Sequence, residues 1–354
     1  MGLSNKEVFW GYSVIGACIM SDEYLGFLLE ENYEQAKYNK GGGVKVRFCT
    51  YDLMKNKGKR WGMKEFETGW ASPIMAHSKQ DEFIVVDRIA KVFYNGLGKN
   101  KQYEKPLNSY KAGLFGLKNI HGTIYGATSA RITYKRIGPD NWIKDERLKN
   151  IPGGDQTSQK GFRDIDGFSE NDIYAVGGDR DVWHLDEQGW SPVDISRQPF
   201  YCTCVVCAED GYVYIGGRFG AIARGRGDEW ETYYPEELTH DIESIASYRG
   251  RIFVGTQKQT CVLGENLIPE SYDFEGQLPL MAGHYIYTAY DRLLIANNFN
   301  QVAFFDGEKW LNINGCEDMT ADEASLFMNQ NLEWLEKATD DLEELTEIIQ
   351  KGKK

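Results

Sequence analysis

Hydrophobic residues in this chain of 354 residues fall in short runs, separated by turns that are rich in glycine and aspartate. The clearest example lies at 172–195, where apolar runs at 173–176, 182–183 and 190–193 alternate with polar turns. Short runs with β-branched and aromatic residues predict strands, and the tight turns predict an antiparallel meander. A similar run at 161–167 predicts a fourth strand directly upstream. A single sheet of this size leaves apolar surface uncovered, so the unit requires copies of itself.

The same pattern recurs with a period of roughly 40 to 45 residues. A large residue marks the outer strand of each copy, at Trp61, Tyr103, Trp142, Trp190, Trp230, Leu267 and Trp310. Four-stranded repeats of this period predict an all-β fold, a β-propeller of about seven antiparallel blades within residues 1–317, with six and eight as alternatives. The predicted blades lie near 8–66, 67–104, 107–147, 161–196, 200–235, 238–270 and 275–314.

The copy at 172–190 reads D-I-Y-A-V-G-G, then V-W-H-L-D, then G-W. In this form the chain resembles WD40 and YVTN-like β-propeller repeat proteins of the bacterial, uncharacterised type. The resemblance covers roughly residues 8–314, and the Trp-Asp dipeptide and Gly-His pair of true WD40 repeats are absent. It implies the propeller fold, and a fold does not define a function.

The segment 318–354 changes to a helical pattern. Thr320 and Glu323 have the spacing of a capping box at its start. Apolar residues then recur at helical spacing, at Met328, Leu332, Leu335, Leu342, Leu345 and Ile349. Ten acidic and four basic residues accompany them. The pattern predicts an acidic, amphipathic C-terminal α-helix that packs on the propeller or pairs with a partner helix.

The net charge of −13 is unevenly distributed. Residues 1–150 contain 24 Lys and Arg and 16 Asp and Glu, a net charge of 24 − 16 = +8. Residues 151–354 contain 16 Lys and Arg and 37 Asp and Glu, a net charge of 16 − 37 = −21. An acidic half of this size repels nucleic acid and anionic membranes and attracts a protein partner with a basic surface. The alternative interpretation is that this charge serves solubility alone.

Composition also predicts the compartment. The sequence has no apolar run of about 18 residues, so it predicts no membrane-spanning helix. The N-terminal residues lack the charged and then apolar pattern of a secretory signal. Seven cysteines are an odd number without the density of a disulfide scaffold. We therefore expect a cytoplasmic protein in a reducing environment.

Motifs for catalysis and metal binding are absent or weak. The chain contains no P-loop, no complete dinucleotide fingerprint, no H-E-x-x-H and no G-x-S-x-G. Cys202, Cys204 and Cys207 could supply three thiolates to zinc, but a structural zinc site requires a fourth ligand. We interpret these cysteines as packing residues, with Cys202 and Cys204 on one face of a strand. No catalytic residue, metal or cofactor is expected.

The turns between the second and third strands of each copy are candidates for binding, because in a propeller these turns share one face. They vary between copies more than the strands around them, and loops on a repeated scaffold commonly carry function. The candidate residues are Arg88, Ser129, Asp179, Arg180, Arg218, Phe219, Lys258, Asn298 and Phe299. Solvated turns that bind nothing are the simpler alternative.

Three functions agree with this pattern. The first is a non-catalytic, cytosolic protein-binding propeller, in one version an immunity or antitoxin-type inhibitor that occludes a basic toxin partner. The second is a propeller enzyme, a hydrolase or lyase, with a site at the central channel. The third is a scaffold that assembles through its C-terminal helix. A cluster of carboxylates or histidines at the channel mouth would favour the enzyme.

Overall fold

The computed structural model describes residues 2–32, 44–56, 58–66, 70, 72–78, 82–96, 103–105, 107, 113–148, 160–274 and 283–326. Within these ranges the chain consists mainly of β-strands, which form consecutive antiparallel meanders of four strands each. A short helix, α1 (Asn5–Phe9), precedes the first strand. No helix in these ranges has the length and apolar character needed to cross a bilayer.

The first three meanders occupy the N-terminal part of the chain. The first contains β1 (Tyr12–Ile19), β2 (Tyr24–Glu31), β3 (Val46–Asp52) and β4 (Trp61–Glu65). The second contains β5 (Ile74–Ser78), β6 (Glu82–Val86), β7 (Val92–Gly96) and β8 (Tyr103–Glu104). The third contains β9 (Leu114–Ile120), β10 (Thr123–Thr128), β11 (Thr133–Gly138) and β12 (Asn141–Asp145).

Four further meanders follow. The fourth contains β13 (Asp164–Ser169), β14 (Asp172–Asp179), β15 (Asp181–Asp186) and β16 (Gly189–Pro192), and the fifth contains β17 (Tyr201–Cys207), β18 (Val213–Gly217), β19 (Ile222–Arg226) and β20 (Glu229–Tyr233). The sixth contains β21 (Ile242–Tyr248), β22 (Arg251–Thr256), β23 (Thr260–Leu263) and β24 (Pro269–Ser271). The seventh contains β25 (Tyr285–Ala289), β26 (Arg292–Ala296), β27 (Gln301–Phe305) and β28 (Trp310–Asn314).

The predicted four-stranded antiparallel unit is confirmed, but the described strands do not form seven separate sheets. Five sheets have four strands, and the sixth has eight. The larger sheet arises because Gly178 and Asp179 of β14 pair with Cys202 and Tyr201 of β17, which joins the fourth and fifth meanders.

The meanders are arranged in a closed ring. Their first strands contact one another in chain order, from β1 through β5, β9, β13, β17 and β21 to β25, and β25 contacts β1. These strands surround a central channel. We call the face on which the first strands begin the upper face; it also carries the turns between second and third strands. The lower face carries the other turns within each meander.

Hydrophobic cores lie between successive meanders. In the cluster between the fourth and fifth, Tyr174 and Val176 pack with Val205 and Ile215. The same arrangement closes the ring, where Phe27 and Trp61 of the first meander share a cluster with residues of the seventh. Each sheet therefore buries both faces against its neighbours, which is the packing that the repeat requires.

Hydrogen bonds reinforce the seam between the first and seventh meanders. The side chain of Asn300 donates to the carbonyl oxygen of Tyr12 at 2.7 Å and accepts from the backbone N–H of Val14 at 2.9 Å. Asn5 of α1 donates from its side chain to the carbonyl oxygen of Asn314 at 2.9 Å. The seam therefore uses side chains where the sheets themselves use backbone pairs.

Buried ion pairs link other neighbours. Arg131, in the turn before β11, donates to Asp181 of β15 at 2.8 and 2.6 Å, and their side chains are 2 % and 3 % exposed. Arg136 of β11 pairs with Glu82 of β6 and Glu104 of β8. Such pairs lie between meanders, so they fix how one sheet sits against the next.

The structure changes one sequence expectation in detail and confirms the beginning of another. Leu267 was expected to mark an outer strand, but it lies in a 3₁₀ turn (Glu265–Leu267) before β24, and it packs in the core at 2 % exposure. The C-terminal helix begins as predicted: it covers 321–326 among the described residues, and Thr320 and Glu323 form the expected reciprocal capping bonds. The predicted remainder of this helix, 327–354, lies outside the described residues.

Candidate functional site

The candidate binding residues lie on the upper face, in or beside the turns between second and third strands. Five of them are exposed, namely Arg88, Arg180, Arg218, Phe219 and Lys258. Ser129, Asp179 and Asn298 are half-buried. Four of the five exposed residues are basic, but the connections on the same face also carry exposed carboxylates, among them Asp194, Glu236 and Glu237.

Phe219 presents its ring to solvent, with 71 % exposure. Its backbone has φ of 55°, a left-handed conformation that costs free energy in a non-glycine residue. The backbone N–H of Phe219 donates to Asp241 at 3.0 Å, which holds the turn in place. An exposed aromatic ring on a fixed turn is a typical anchor for a protein interface.

Phe299 corrects an expectation, because it was expected to lie on the binding face and is only 8 % exposed. The side-chain oxygen of Asn297 accepts from the backbone N–H groups of Phe299 and Gln301 at 3.0 and 3.1 Å. This closes the turn with the Phe299 ring directed into the protein. At this exposure little of the ring is available to a partner.

Arginine and aromatic side chains from successive meanders alternate across the upper face beside the channel mouth. The guanidinium carbon of Arg88 lies 4.7 Å from the ring centre of Phe115. That of Arg163 lies 5.4 Å from Phe115 and 5.3 Å from Tyr201, and that of Arg218 lies 4.0 Å from Tyr201. We call these five residues the arginine–aromatic ladder.

Sequence reasoning found the two ends of this ladder and missed its centre. Arg88 and Arg218 lie in the turns that the sequence analysis singled out. Phe115 and Tyr201 lie at the beginnings of first strands, β9 and β17, and Arg163 directly precedes β13. All three lie next to the connection from the preceding meander, and that shared location is the signal that could have identified them.

Carboxylates line the channel but are used by the fold. Asp164 accepts from the backbone N–H of Val205 at 2.9 Å, and Asp166 accepts from that of Cys207 at 3.0 Å. Lys118 lies 4.0 Å from Asp166. Burial raises the pKa of both aspartates; burial opposes the charge on Lys118, but the two carboxylates raise its pKa overall. These groups tie β13 to β17 and balance one another.

A second polar pair lies at the mouth, between the sixth and seventh meanders. His284 Nδ1 contacts Glu243 Oε2, and the histidine is 6 % exposed. Its Nε2 atom is buried without a hydrogen-bond partner. Cations thus line the ladder side of the mouth, and this Glu–His pair lies on the remaining side.

The three cysteines of β17 are buried or half-buried free thiols. A bulge between Cys202 and Cys204 shifts the strand register, so the two lie in different core clusters and not on one face as expected. Burial raises the pKa of Cys204 to about 12 and that of Cys202 further. Across the described ranges, no three metal-ligating side chains come together.

Acidic turns cover part of the lower face. Exposed carboxylates lie in the turns of the fourth to seventh meanders, at Glu170, Glu187, Glu209, Asp210, Asp228 and Asp291. Some are paired locally, as Asp291 is with Arg249. The lower face therefore has the charge that would attract a basic surface, on the side opposite the ladder.

A buried histidine on the first strand β5, His77, gives the protein a pH-dependent stability. Burial lowers the pKa of His77 to about 4, from about 6.5 in the unfolded chain. Folding therefore favours neutral His77, and the resulting stability is present above pH 6.5 and is lost as the pH falls towards 4. We expect a contribution of up to about 1.4 kcal/mol per pH unit to the free energy of unfolding in that window.

Urea denaturation of the wild type and of His77→Gln between pH 7 and 4 measures this contribution, since other titrating groups are common to both. As the pH falls, the wild type should lose free energy of unfolding faster than His77→Gln does, so the difference between the two proteins should narrow or reverse. Parallel pH curves for the two proteins would contradict the assignment.

The ring, its four-stranded meanders and its channel define the class of fold, a β-propeller. The structure is similar to that of a virginiamycin B lyase from Staphylococcus aureus, with a TM-score of 0.62 and 12 % identity over 88 % of this chain and 97 % of that chain. It is also similar to the WD40 β-propeller domain of Doa1, with a TM-score of 0.56 and 12 % identity over 84 % and 94 %. At these identities the likeness establishes the fold alone.

One curated relative is similar in sequence. It is the Immune protein Tsi7 of Pseudomonas aeruginosa, 28 % identical over 246 residues, which cover 68 % of this chain and 79 % of that protein. No known family profile matches the chain.

Proposed function

We propose that this chain is an immunity or antitoxin-type protein that binds and occludes a toxin protein in the cytoplasm. The observation that carries the proposal is the similarity to Immune protein Tsi7 over about two thirds of the chain. We count the eight-stranded sheet as two blades of a seven-bladed propeller. A rigid ring with variable turns on both faces suits the binding of a folded partner.

The partner is proposed to carry a basic surface that meets the acidic turns of the lower face. Glu187, Glu209 and Asp228 are exposed, lie in adjacent fourth and fifth meanders and leave their charge to solvent. Complementary charge speeds association and selects the orientation of encounter. The exposed basic turns of the upper face would repel such a partner, so we place the contact on the opposite face from the one that the sequence suggested.

The proposed role is non-catalytic. The channel does contain carboxylates and histidines, the feature expected of the enzyme alternative. However, Asp164 and Asp166 accept backbone N–H groups of β17, and Lys118 lies 4.0 Å from Asp166, so both carboxylates are already engaged within the fold. Groups engaged in this way support the ring and are poorly placed to exchange protons with a substrate.

The test is isothermal titration calorimetry at low and high salt. The purified chain is titrated with the protein encoded by the gene next to its own. We expect a one-to-one complex whose dissociation constant rises with salt. Co-expression should also restore the growth of a bacterium that produces the neighbouring protein. A neighbouring protein that neither binds at any salt nor is neutralised on co-expression would overturn the proposal.

Charge reversal tests the proposed surface. The triple variant Glu187→Lys, Glu209→Lys and Asp228→Lys should slow association about tenfold and weaken its salt dependence, because rim charges act mainly on the encounter. Stopped-flow fluorescence measures the rate. Glu237→Lys, an exposed carboxylate on the upper face, is the control and should leave the rate within about twofold. Equal effects of the triple variant and the control would contradict the placement.

A further inference from the structure

The arginine–aromatic ladder holds cations that the described part of the fold does not neutralise. Neither Arg88 nor Arg163 forms an ion pair with any described residue; the Arg163 side chain donates to the hydroxyl of Tyr201 at 3.2 and 2.9 Å. Arg218 lies 3.7 Å from Asp241, a long contact between partly exposed groups. By contrast, Arg131 and Arg136 are each paired within hydrogen-bonding distance. The ladder therefore has unused capacity to bind anions.

The aromatic rings orient these cations. A guanidinium held over a ring by cation–π attraction keeps donors at its edge available, and an arginine fork matches the two oxygens of a carboxylate. In Arg163, Nε and Nη2 donate to the Tyr201 hydroxyl, so a ligand would use the remaining edge of that guanidinium. Phe115 is contacted by Arg88 and Arg163, and Tyr201 by Arg163 and Arg218. Rings shared in this way fix three guanidinium groups in a row, which reduces the entropy lost when a ligand binds.

The ladder also borders open space. Two cavities of about 310 and 270 Å³ lie at the channel mouth and share Phe115 in their linings. Arg88 lines the first cavity and Arg163 lines the second. The row extends from the second meander to the fifth, which is longer than one small anion can span. An extended ligand with several negative groups fits it.

We propose that the arginine–aromatic ladder is the docking site for an acidic segment of a protein partner, with carboxylates paired to Arg88, Arg163 and Arg218. The charge around the ladder favours a protein segment over nucleic acid. A long polyanion would continue past the ladder to Glu243 and to the rest of a chain with a net charge of −13, whereas a short acidic segment ends within the cationic row.

This inference goes beyond the proposed immunity function and does not depend on it. The immunity proposal places a basic surface on the lower face, and the ladder takes an acidic segment on the upper face. Its failure would leave the charge-reversal results unchanged, and failure of the immunity proposal would leave the ladder's anion binding unchanged.

The experiment is fluorescence anisotropy of the full chain with a labelled peptide of alternating glutamate and glycine. We expect saturable, salt-sensitive binding that Arg163→Gln and Arg88→Gln each weaken about tenfold, the loss of one charge-assisted hydrogen-bonded pair. Arg163→Lys keeps the charge without the fork and should retain part of the affinity. Arg197→Gln is the matched control, because it removes an exposed upper-face arginine outside the ladder, in the connection between β16 and β17, and it should change the affinity less than twofold.

Three results would overturn the proposal. Equal loss in Arg197→Gln and the ladder variants would indicate general charge attraction. Tighter binding of a single-stranded oligo-dT would identify a nucleic-acid site. Full displacement of the peptide by inorganic phosphate at a concentration where chloride is inert would indicate a site for one small anion. Unchanged melting temperatures of the variants establish that any loss arises at the ladder.

Discussion

Replacing Asp181 with alanine is expected to lower the free energy of unfolding by about 3–5 kcal/mol. Asp181 is 3 % exposed and accepts from Arg131, from the backbone N–H of Gly161 at 2.7 Å and from the indole N–H of Trp183 at 2.9 Å. Its removal leaves the Arg131 cation buried without a counter-charge between the third and fourth meanders. Urea denaturation followed by tryptophan fluorescence measures the loss.

A matched control lies two residues away. Asp179→Ala removes a half-exposed carboxylate next to the same turn and should cost less than about 0.5 kcal/mol. The double variant Arg131→Met, Asp181→Leu should recover part of the stability, because it removes both buried charges together but leaves the N–H groups of Gly161 and Trp183 without their acceptor. A cost for Asp181→Ala no larger than for Asp179→Ala would show that the ion pair contributes little.

Replacing Asn300 with alanine is expected to cost about 3 kcal/mol, since it leaves the buried N–H of Val14 and carbonyl of Tyr12 without partners. Asn300 also has φ of 61°, which asparagine tolerates better than alanine. The loss falls on the seam, so hydrogen exchange of the Val14 amide should accelerate more than exchange in the fourth meander.

The neighbouring Asn298→Ala is the control for this change, because Asn298 is half-buried in the same turn and makes no contact with β1 that resembles those of Asn300. It should cost under about 1 kcal/mol. Uniform acceleration of exchange throughout the ring after Asn300→Ala would contradict a local role at the seam.

The fold was largely readable from the sequence because each meander repeats a local pattern. The stretch 172–195 predicts three strands, and the structure has β14, β15 and β16 there. Where the local signal was weak, the detail was wrong. Leu267 matches the repeat in spacing, but the left-handed residue Asn266 before it turns the chain out of the strand.

The arginine–aromatic ladder was harder to predict because its contacts join residues far apart in the chain. Turn positions follow from strand order, so Arg88 and Arg218 could be found from the repeat. The ladder needs Phe115, Arg163 and Tyr201 from three other segments, and a turn-by-turn reading treats each segment separately. Burial of Phe299 depends on the Asn297 side chain closing one particular turn, which composition does not indicate.

The opposite charges of the two faces have a consequence for the protein at high concentration. The ladder of one copy can meet the acidic turns of another, and such a head-to-tail contact does not close on itself. Repeated contacts of this kind would form an open stack, in which the ladder of every inner copy is covered. Salt screens charges beyond about 8 Å at physiological ionic strength, so we expect stacking only in buffers of low ionic strength. There, one copy of the protein would compete with a partner for the ladder of another copy.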